Sequence, residues 1–293
     1  MNQIIGVIGL GNMGRNMAAT LVNKAISVIG YDLSEAAREQ SIKQGINVVH
    51  NLSDLAKQCS VIILSLPKAE HVEAVCLNEN GLVTLLPSGT TIIDTTTSVP
   101  ETSQKVAKKL AEHDIAFLDA PVSGGPAGAA AGTMSMVIGG DVTTYNAVLP
   151  ILEAMSSTRV HVGGVGAGNV AKIANNMLAA AHLITTSEAL TLAEKAGVDP
   201  EKVLEAINVG SGRSGASQAM FPTWVMNKAY NSGFTMGLMR KDVGLAHDLA
   251  QQLNLDLPMA AQTAKLWDES RATLVDSDDF CCIAKCTNPT LFG

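Results

Sequence analysis

The chain has 293 residues, of which 47% are hydrophobic, 16% charged and only 3% aromatic, so it can fill a large core in about two domains. Its formal net charge is −7 and it has no basic run, which argues against nucleic acid and acidic membrane surfaces as partners. No uncharged apolar run approaches the ~20 residues that span a bilayer, so no membrane partner is expected.

The cysteines indicate a reducing compartment. There are five, an odd number with no CxxC pair, and no export signal precedes them, so we expect reduced thiols in a cytoplasmic protein. Cys281, Cys282 and Cys286 lie together, but no histidine is near them and we predict no metal site. The tail over residues 281–293 is expected either to be disordered or to pack on a partner subunit.

The first half of the chain alternates short apolar runs with amphipathic stretches. The runs are typical of strands buried on both faces, and they cover residues 3–9, 26–32, 60–66, 90–95, 115–122 and 134–140. Helical patterns lie between them, for example over residues 13–24, 52–58 and 100–113. This alternation predicts an α/β fold, with a doubly wound, Rossmann-type parallel sheet over residues 1–163.

The pattern changes near Val162. Residues 162–168 (VGGVGAG) are expected to be a flexible connection, and residues 168–195 form one predicted helix, roughly 42 Å long at the standard rise. Gly197 ends that helix, and Asp199 caps the next one, with Pro200 in its first turn. Shorter helices follow to about residue 272. We therefore expect an all-helical domain over residues 164–293, joined to the first domain through the long helix.

The segment GLGNMG has the spacing GxGxxG between the first predicted strand and the first predicted helix. Glycines at this spacing allow a tight turn, close approach of a pyrophosphate to the backbone, and close packing of helix on strand. The predicted dinucleotide-binding loop consists of Gly9, Leu10, Gly11, Asn12, Met13 and Gly14.

Asp32 ends the second predicted strand, 23 residues after Gly9. A carboxylate at that place hydrogen-bonds the ribose hydroxyls and repels a 2′-phosphate, which favours NAD over NADP as the cofactor. The alternative is that Asp32 is only a turn residue before Ser34.

Three further segments follow predicted strands, at the end where open parallel sheets bind ligands. They are Leu66-Pro67, the DTTTS segment over residues 94–98, and Ser123-Gly124-Gly125. The last offers a hydroxyl and side-chain-free backbone N–H groups, which can hold a carboxylate or another small anion. Each segment, taken alone, is equally compatible with an ordinary loop or helix cap.

Lys172 has an unusual setting, because it is the only permanently charged residue between Arg159 and Glu188. A lysine on a solvated helix face normally has a charged neighbour three or four residues away, and this one has none. Either the lysine snorkels out of a buried helix, or it serves chemistry in a dry site. Burial disfavours the charged form of an amine, which lowers its pKa towards the range where proton transfer is efficient.

Three motifs occur in a fixed order: GLGNMG over residues 9–14, DAPVSGG with a later GTM over residues 119–134, and GxGxxxKxxxN over residues 166–176. Together they resemble the β-hydroxyacid dehydrogenase family, whose members include 3-hydroxyisobutyrate dehydrogenase and tartronate semialdehyde reductase. The resemblance extends over nearly the whole chain. GAGNVAKIANNMLAA over residues 166–180, followed by INVGSGRS over residues 207–214, favours the 3-hydroxyisobutyrate branch.

This resemblance implies an NAD-dependent oxidoreductase that interconverts a small 3-hydroxy acid and its semialdehyde, assembled as a homodimer or homotetramer. It also implies that Lys172 is the general acid and base. The other implied site residues are Ser123, Gly124, Gly125 and Asn176 for the substrate, and Leu66, Pro67, Thr97 and Lys241 for the cofactor. Two alternatives remain open: the substrate is tartronate semialdehyde or another sugar-acid fragment, or the chain binds a dinucleotide without catalysis.

Overall fold

The computed structural model describes residues 3–293. The chain divides into two compact units, Met1–Lys172 and Ile173–Gly293. The first unit is built on one sheet, and the second is built from helices, with a single isolated bridge between Thr235 and Asp279 among the described residues. The long predicted helix is present as one element that begins in the first unit and ends in the second.

From residue 3 onward, the first unit contains nine strands and the helices that connect them. The strands are Ile4–Ile8 (β1), Ser27–Tyr31 (β2), Asn47–Val48 (β3), Val61–Leu64 (β4), Thr91–Asp94 (β5), Ala116–Asp119 (β6), Val122–Ser123 (β7), Met134–Gly139 (β8) and Ser156–Gly163 (β9). The helices are Asn12–Asn23 (α1), Glu35–Lys43 (α2), Leu52–Ala56 (α3), Ala69–Leu77 (α4), Leu82–Leu85 (α5), Pro100–Ala111 (α6), Gly125–Ala131 (α7) and Val142–Met155 (α8), followed by Ala167–Lys195 (α9).

The central strands are parallel and lie in the order β3-β2-β1-β4-β5-β6. This is the order of a doubly wound dinucleotide-binding sheet, so the predicted α/β fold is confirmed. Strand β4 is apolar at every position because both faces of the sheet are buried. Val61 and Ile63 belong to one core cluster, and Ile62 and Leu64 belong to the cluster on the opposite face.

The sheet is not parallel throughout. Strand β8 runs antiparallel to β6 and β7, with Ser123 paired to Ser135. Only about ten residues separate β7 from β8, and a parallel crossover needs a dozen or more, so the chain reverses instead. The run predicted as one strand over residues 115–122 is also interrupted, because Pro121 has no N–H to donate to a ladder.

Strand β9 was not predicted. It pairs in parallel with β8 from Met134 to Gly139, with two register shifts. It lies at an edge, and residues such as Val160 and Val162 remain exposed, so it lacks the continuous apolar run of the central strands. The first two residues of the predicted flexible connection, Val162 and Gly163, are therefore part of a strand.

The second unit continues from α9 with Pro200–Val209 (α10), a π-helix at Ala216–Val225, Met236–Gln252 (α11) and Pro258–Glu269 (α12). It ends with two 3₁₀ segments, Ser270–Ala272 and Phe280–Cys282, and the short helices Ile283–Thr287 (α13) and Pro289–Phe292 (α14). Asp199 caps α10 by accepting from the N–H of Glu201, as its position predicted. Within residues 3–293, no helix combines the length and apolar character that crossing a bilayer requires.

The C-terminal tail is ordered, so the expectation of disorder was wrong. Cys281, Ile283 and Phe292 are each at most 3% exposed and belong to the core cluster of the second unit. The Phe292 ring packs edge-on against Phe221 at 6.0 Å, and the hydroxyl of Tyr230 donates to the Phe292 carbonyl. Burial raises the pKa of the Cys281 thiol, which keeps it protonated as a small apolar side chain.

Candidate functional site

A cleft of about 870 Å³ opens at the carboxyl ends of the central strands of the first unit. It lies where β2 and β4 diverge on either side of β1, which is the switch point at which open α/β sheets bind ligands. The predicted residues that line it are Gly9, Gly11, Asp32, Leu66 and Pro67. The structure thus brings together side chains and backbone from three separate strand ends.

The glycine loop has the shape that a dinucleotide requires. A Cβ on Gly9 would collide with the Ser65 carbonyl oxygen, and one on Gly14 would collide with the Gly9 carbonyl oxygen. Gly11, in contrast, has nothing within 4 Å of its Cβ position, so its backbone faces open space. Gly11 is the N-cap of α1 and has no side chain that could cap the helix. The N–H groups of the first turn are therefore available to a phosphate.

The other loop residues contribute differently. Leu10 is fully buried in the core, so only its backbone can meet a ligand. Asn12 is exposed, and its Oδ1 accepts from Arg15. Met13 is partly buried against the core. Their side chains do not line the cleft.

Asp32 has two structural bonds in addition to its place in the cleft wall. Its Oδ2 accepts from the N–H of Leu10 at 2.6 Å, and its Oδ1 accepts from the N–H of Ser34 at 2.7 Å. The carboxylate therefore holds the glycine loop and caps the turn before α2. Asp32 is therefore a turn residue and also faces the cleft.

The loop after β5 lies beside this wall. The Thr96 hydroxyl accepts from the N–H of Leu66 at 3.0 Å, which joins the loops that follow β4 and β5. The N–H of Ser98 donates to the Asn169 side chain. Thr97 lies between these two anchored residues and is not part of the cleft lining.

Lys172 is buried in the first turns of α9, with only 7% of its surface exposed. Its Nζ donates to the Ser123 hydroxyl at 2.8 Å. The snorkelling alternative is wrong, because the amine is directed to a polar partner and is kept from water. Gly124 and Gly125, next to that serine, have φ angles of +117° and +61°, in the left-handed region that favours glycine.

Asn176 lies one turn after Lys172 on the same helix and belongs to the second unit. Its Nδ2 donates to Asp242 Oδ2 at 2.5 Å, and Lys241 Nζ lies 3.3 Å from the other oxygen of that carboxylate. Asp242 is 2% exposed, and sequence reasoning missed it. Its position directly after a predicted cofactor lysine was the available signal.

Two buried carboxyls near the site lie in segments that the sequence analysis singled out, but neither carboxyl was assigned a role. Asp119 accepts from the backbone N–H groups of Gly166 and Asn169, at 2.7 and 2.9 Å. Asp94, its partner on the neighbouring strand, accepts from the N–H of Thr96 and leaves Oδ2 without a partner. Each aspartate is the last residue of an apolar strand. Since a carboxylate does not contribute to apolar packing, its presence there was the available sequence signal.

Two family models match this chain. Residues 4–164 match the family described as the NAD binding domain of 6-phosphogluconate dehydrogenase. Residues 166–287 match the family described as NAD-binding of NADP-dependent 3-hydroxyisobutyrate dehydrogenase. The fold and the cleft therefore define an NAD-binding oxidoreductase with a C-terminal helical domain.

The similar proteins narrow the class. 2-(Hydroxymethyl)glutarate dehydrogenase of Eubacterium barkeri is 36% identical, over 96% of this chain and 93% of the relative. NAD-dependent L-serine dehydrogenase of Pseudomonas aeruginosa is 34% identical, over 98% of both chains. The structure of 3-hydroxyisobutyrate dehydrogenase of Mycobacterium tuberculosis with L-serine matches with a TM-score of 0.92 and 31% identity, over 98% of this chain and 100% of that one. The chain belongs to the β-hydroxyacid dehydrogenase family, whose enzymes oxidise the hydroxyl group of hydroxy acids with a nicotinamide cofactor.

Proposed function

We propose that the protein interconverts a small 3-hydroxy acid and its semialdehyde, with Lys172 as general acid and base. The single observation that carries this proposal is the hydrogen bond of 2.8 Å from the buried Lys172 Nζ to the Ser123 hydroxyl. It puts an amine that can move a proton beside a loop that can hold a carboxylate. Because a lysine is costly to bury, its place beside that loop favours a chemical role over a packing role.

The names of the relatives point to a common substrate skeleton. 2-(Hydroxymethyl)glutarate, L-serine and 3-hydroxyisobutyrate all carry a primary alcohol on the carbon next to the one that bears a carboxylate. They differ only in the substituents on that central carbon. We take the same skeleton as the substrate class of this chain, with 3-hydroxyisobutyrate as the first candidate. Glycerate, the product of tartronate semialdehyde reduction, has this skeleton too and is the second candidate.

In the proposed mechanism, the loop over residues 123–125 binds the substrate and helix α9 carries the group that transfers the proton. The Ser123 hydroxyl and the backbone N–H groups of Gly124 and Gly125 bind the substrate carboxylate, and Asn176 orients the substrate. Lys172 Nζ removes the proton of the alcohol, and in the reverse direction its ammonium polarises the aldehyde and returns that proton. Bound NAD supplies the hydride acceptor. Lys172 exchanges this proton with the bound substrate during the reaction, and after oxidation it releases the proton to solvent before the next turnover.

The cofactor preference is part of the proposal. We assign NAD rather than NADP, because the Asp32 carboxylate in the cleft wall would repel a 2′-phosphate. Gly9, Gly11, Gly14, Leu66 and Pro67 would hold the rest of the cofactor. Thr97 and Lys241 are proposed to complete its site.

The proposal extends to the assembly and the cellular location of the protein. Leu178 and Leu192 are 51% and 73% exposed on α9, and their spacing puts them near one face of the helix, which supports a homodimer or homotetramer. Unpaired thiols support a cytoplasmic location. The division into a cofactor domain over residues 1–163 and a substrate domain over residues 164–293 is proposed with them.

The test is the absorbance of reduced nicotinamide while the purified protein is given NAD and one acid at a time. The panel is 3-hydroxyisobutyrate, L-serine, glycerate and 3-hydroxypropionate, with NADP in place of NAD in a second series. Turnover of the first acid, lost in Lys172→Ala and kept in Lys108→Ala at an exposed site on α6, is the expected result. Turnover of none of the four acids, with reduced cofactor still bound, would contradict the proposal and return the non-catalytic alternative.

A further inference from the structure

The carboxylate of Asp119 binds the start of the helix that carries Lys172. Asp119 is fully buried at the end of β6, and its two oxygens accept from the N–H groups of Gly166 and Asn169, at 2.7 and 2.9 Å. The first N–H groups of a helix have no partner within the helix, so a buried helix start needs an acceptor from outside. Asp119 is that acceptor for α9, although it lies about fifty residues earlier in the chain.

The space around this carboxylate is closed. A Cβ on Gly139 would lie 2.5 Å from Asp119 Oδ1, and a Cβ on Gly168 would lie 2.9 Å from Oδ2. Both positions are glycine, so strand β8 and the first turn of α9 approach the carboxylate as closely as backbone can. A side chain held in this way has no room to adopt a second position.

Asp119 also stands just before the loop that bears Ser123. Three residues lie between them, and one of these, Pro121, restricts the backbone. On the helix side, Asn169 and Lys172 are three residues apart, which is less than one turn. The same residue thus binds the helix start through its side chain and leads through its main chain to the serine that Lys172 contacts.

We propose that Asp119 is the positioning residue of the reaction: its two hydrogen bonds to the start of α9 set the distance between Lys172 Nζ and Ser123 Oγ. This inference rests on the proposed function, in which that pair acts on the substrate. Asp119 itself touches neither substrate nor cofactor. It acts only by fixing the position of Lys172 Nζ.

The decisive variant is Asp119→Asn. The asparagine has nearly the same shape, but one acceptor oxygen becomes an NH₂ group that faces a backbone N–H, so one of the two bonds is lost. The first turn of α9 then shifts, and a displacement of about 1 Å at a reacting group costs ~100-fold in rate. We expect kcat to fall by about that factor, while the KM for NAD changes less than about twofold, because the cleft is formed by β1, β2 and β4.

Ser103→Ala is the matched control. Ser103 is also fully buried and accepts a hydrogen bond at 2.8 Å from the Asn169 side chain, so its loss also leaves one buried group on α9 unpaired. It leaves both bonds of Asp119 intact. We expect kcat within about twofold of the wild type. A fall equal to that of Asp119→Asn would show that any loosening of this region has the same effect, and it would overturn the proposal.

Hydrogen exchange followed by mass spectrometry gives a readout that does not need turnover. In Asp119→Asn the amides of residues 166–172 should exchange at least tenfold faster, and those of residues 180–195 should be unchanged. Unchanged exchange over residues 166–172, or kcat within threefold of the wild type, would refute the positioning role. If the wild type turns over none of the acids, the proposed function fails and the exchange data alone decide whether Asp119 anchors the helix.

A second variant covers the case in which Asp119→Asn does not fold. Gly168→Ala keeps the carboxylate but adds a methyl group 2.6 Å from the Asp119 carbonyl and 2.9 Å from its Oδ2, which displaces the helix start. We expect the same fall in kcat with the same unchanged KM for NAD. Wild-type kcat in Gly168→Ala would contradict the proposal independently.

Discussion

Asp94 offers the sharpest test of the electrostatics of the first unit. It is fully buried at the end of β5, and its Oδ2 has no hydrogen-bond partner. Burial is the main cause that raises the pKa of Asp94 from 3.8 to about 7, hydrogen bonds from Thr96 oppose it, and the charge of Asp119 adds to it. The perturbation we consider is Asp94→Asn, which replaces a titrating group with a neutral one of the same shape.

The sign follows from proton binding. Between about pH 4 and pH 7 the folded chain holds a proton on Asp94 that the unfolded chain has lost, so stability falls as the pH rises through this window and is level above it. At ~1.36 kcal/mol per pKa unit, the burial of Asp94 costs about 2 kcal/mol at about pH 5 and about 4 kcal/mol at about pH 8. The amide of the variant does not titrate and has no such dependence. The free energy of unfolding of the variant, relative to the wild type, should therefore rise by about 2 to 3 kcal/mol between those two pH values.

The assay is urea unfolding at a series of pH values, followed by far-UV circular dichroism. Tryptophan fluorescence is unsuitable, because Trp224 and Trp267 both lie in the second unit and Asp94 lies in the first. Asp114→Asn is the control, since Asp114 is exposed in the same unit and has a φ of +56°, which asparagine tolerates. The control should follow the wild type at every pH.

A constant difference between Asp94→Asn and the wild type from about pH 5 to about pH 8 would refute the reasoning. It would mean that Asp94 is already ionised in the folded chain at about pH 5, so that burial does not raise its pKa into this range. A difference that grows towards low pH would reverse the sign and require a strong ionic partner for the carboxylate. The part of the first unit that the structure describes shows no cation bonded to it.

Two further predictions concern the cofactor and the second core. Asp32→Asn keeps an acceptor for the N–H of Leu10 but removes the charge that faces a 2′-phosphate, so kcat/KM with NADP should rise at least tenfold relative to that with NAD; an unchanged ratio would contradict the assigned preference. Phe292→Ala removes a ring that is 1% exposed and should lower the free energy of unfolding of the second unit by ~3–5 kcal/mol, measured by tryptophan fluorescence in urea. A cost below about 1 kcal/mol would show that the tail does not belong to that core.

The central strands could be predicted from the sequence because both of their faces are buried. Residues 61–64 are apolar on both faces, and a continuous apolar run between turn signals has few other interpretations. Strand β9 could not be found in this way, since alternate residues of it are exposed and its pairing depends on β8, which lies about twenty residues earlier. The C-terminal tail was misjudged for a related reason. Its cysteines were considered as ligands or loose thiols, whereas Cys281 and Cys282 are apolar core residues here.

The candidate site shows the same limit. Lys172 was found because a lone charge among apolar residues is visible locally in the sequence, and its partner Ser123 was found because glycines mark a loop. Asp119 was missed because its partners are backbone N–H groups, 47 and 50 residues further along. Every residue except proline has a backbone N–H, so the sequence does not show which of these groups an aspartate binds. A residue with only such partners can be recognised only once the structure is known.

Asp94 and Asp119 are cross-strand neighbours in the same sheet, yet their surroundings differ. Burial raises the pKa of both carboxyls, but Asp119 faces the positive end of α9 and accepts from several of its N–H groups, which oppose the shift. For Asp94, only the hydrogen bonds from Thr96 oppose it. Two carboxyls side by side in a dry region do not ionise with equal ease, and the one with donors keeps its charge more readily. The N–H groups at the start of α9 therefore have two effects. Their bonds to Asp119 hold the helix that carries Lys172, and they also favour the charged form of Asp119 over that of Asp94.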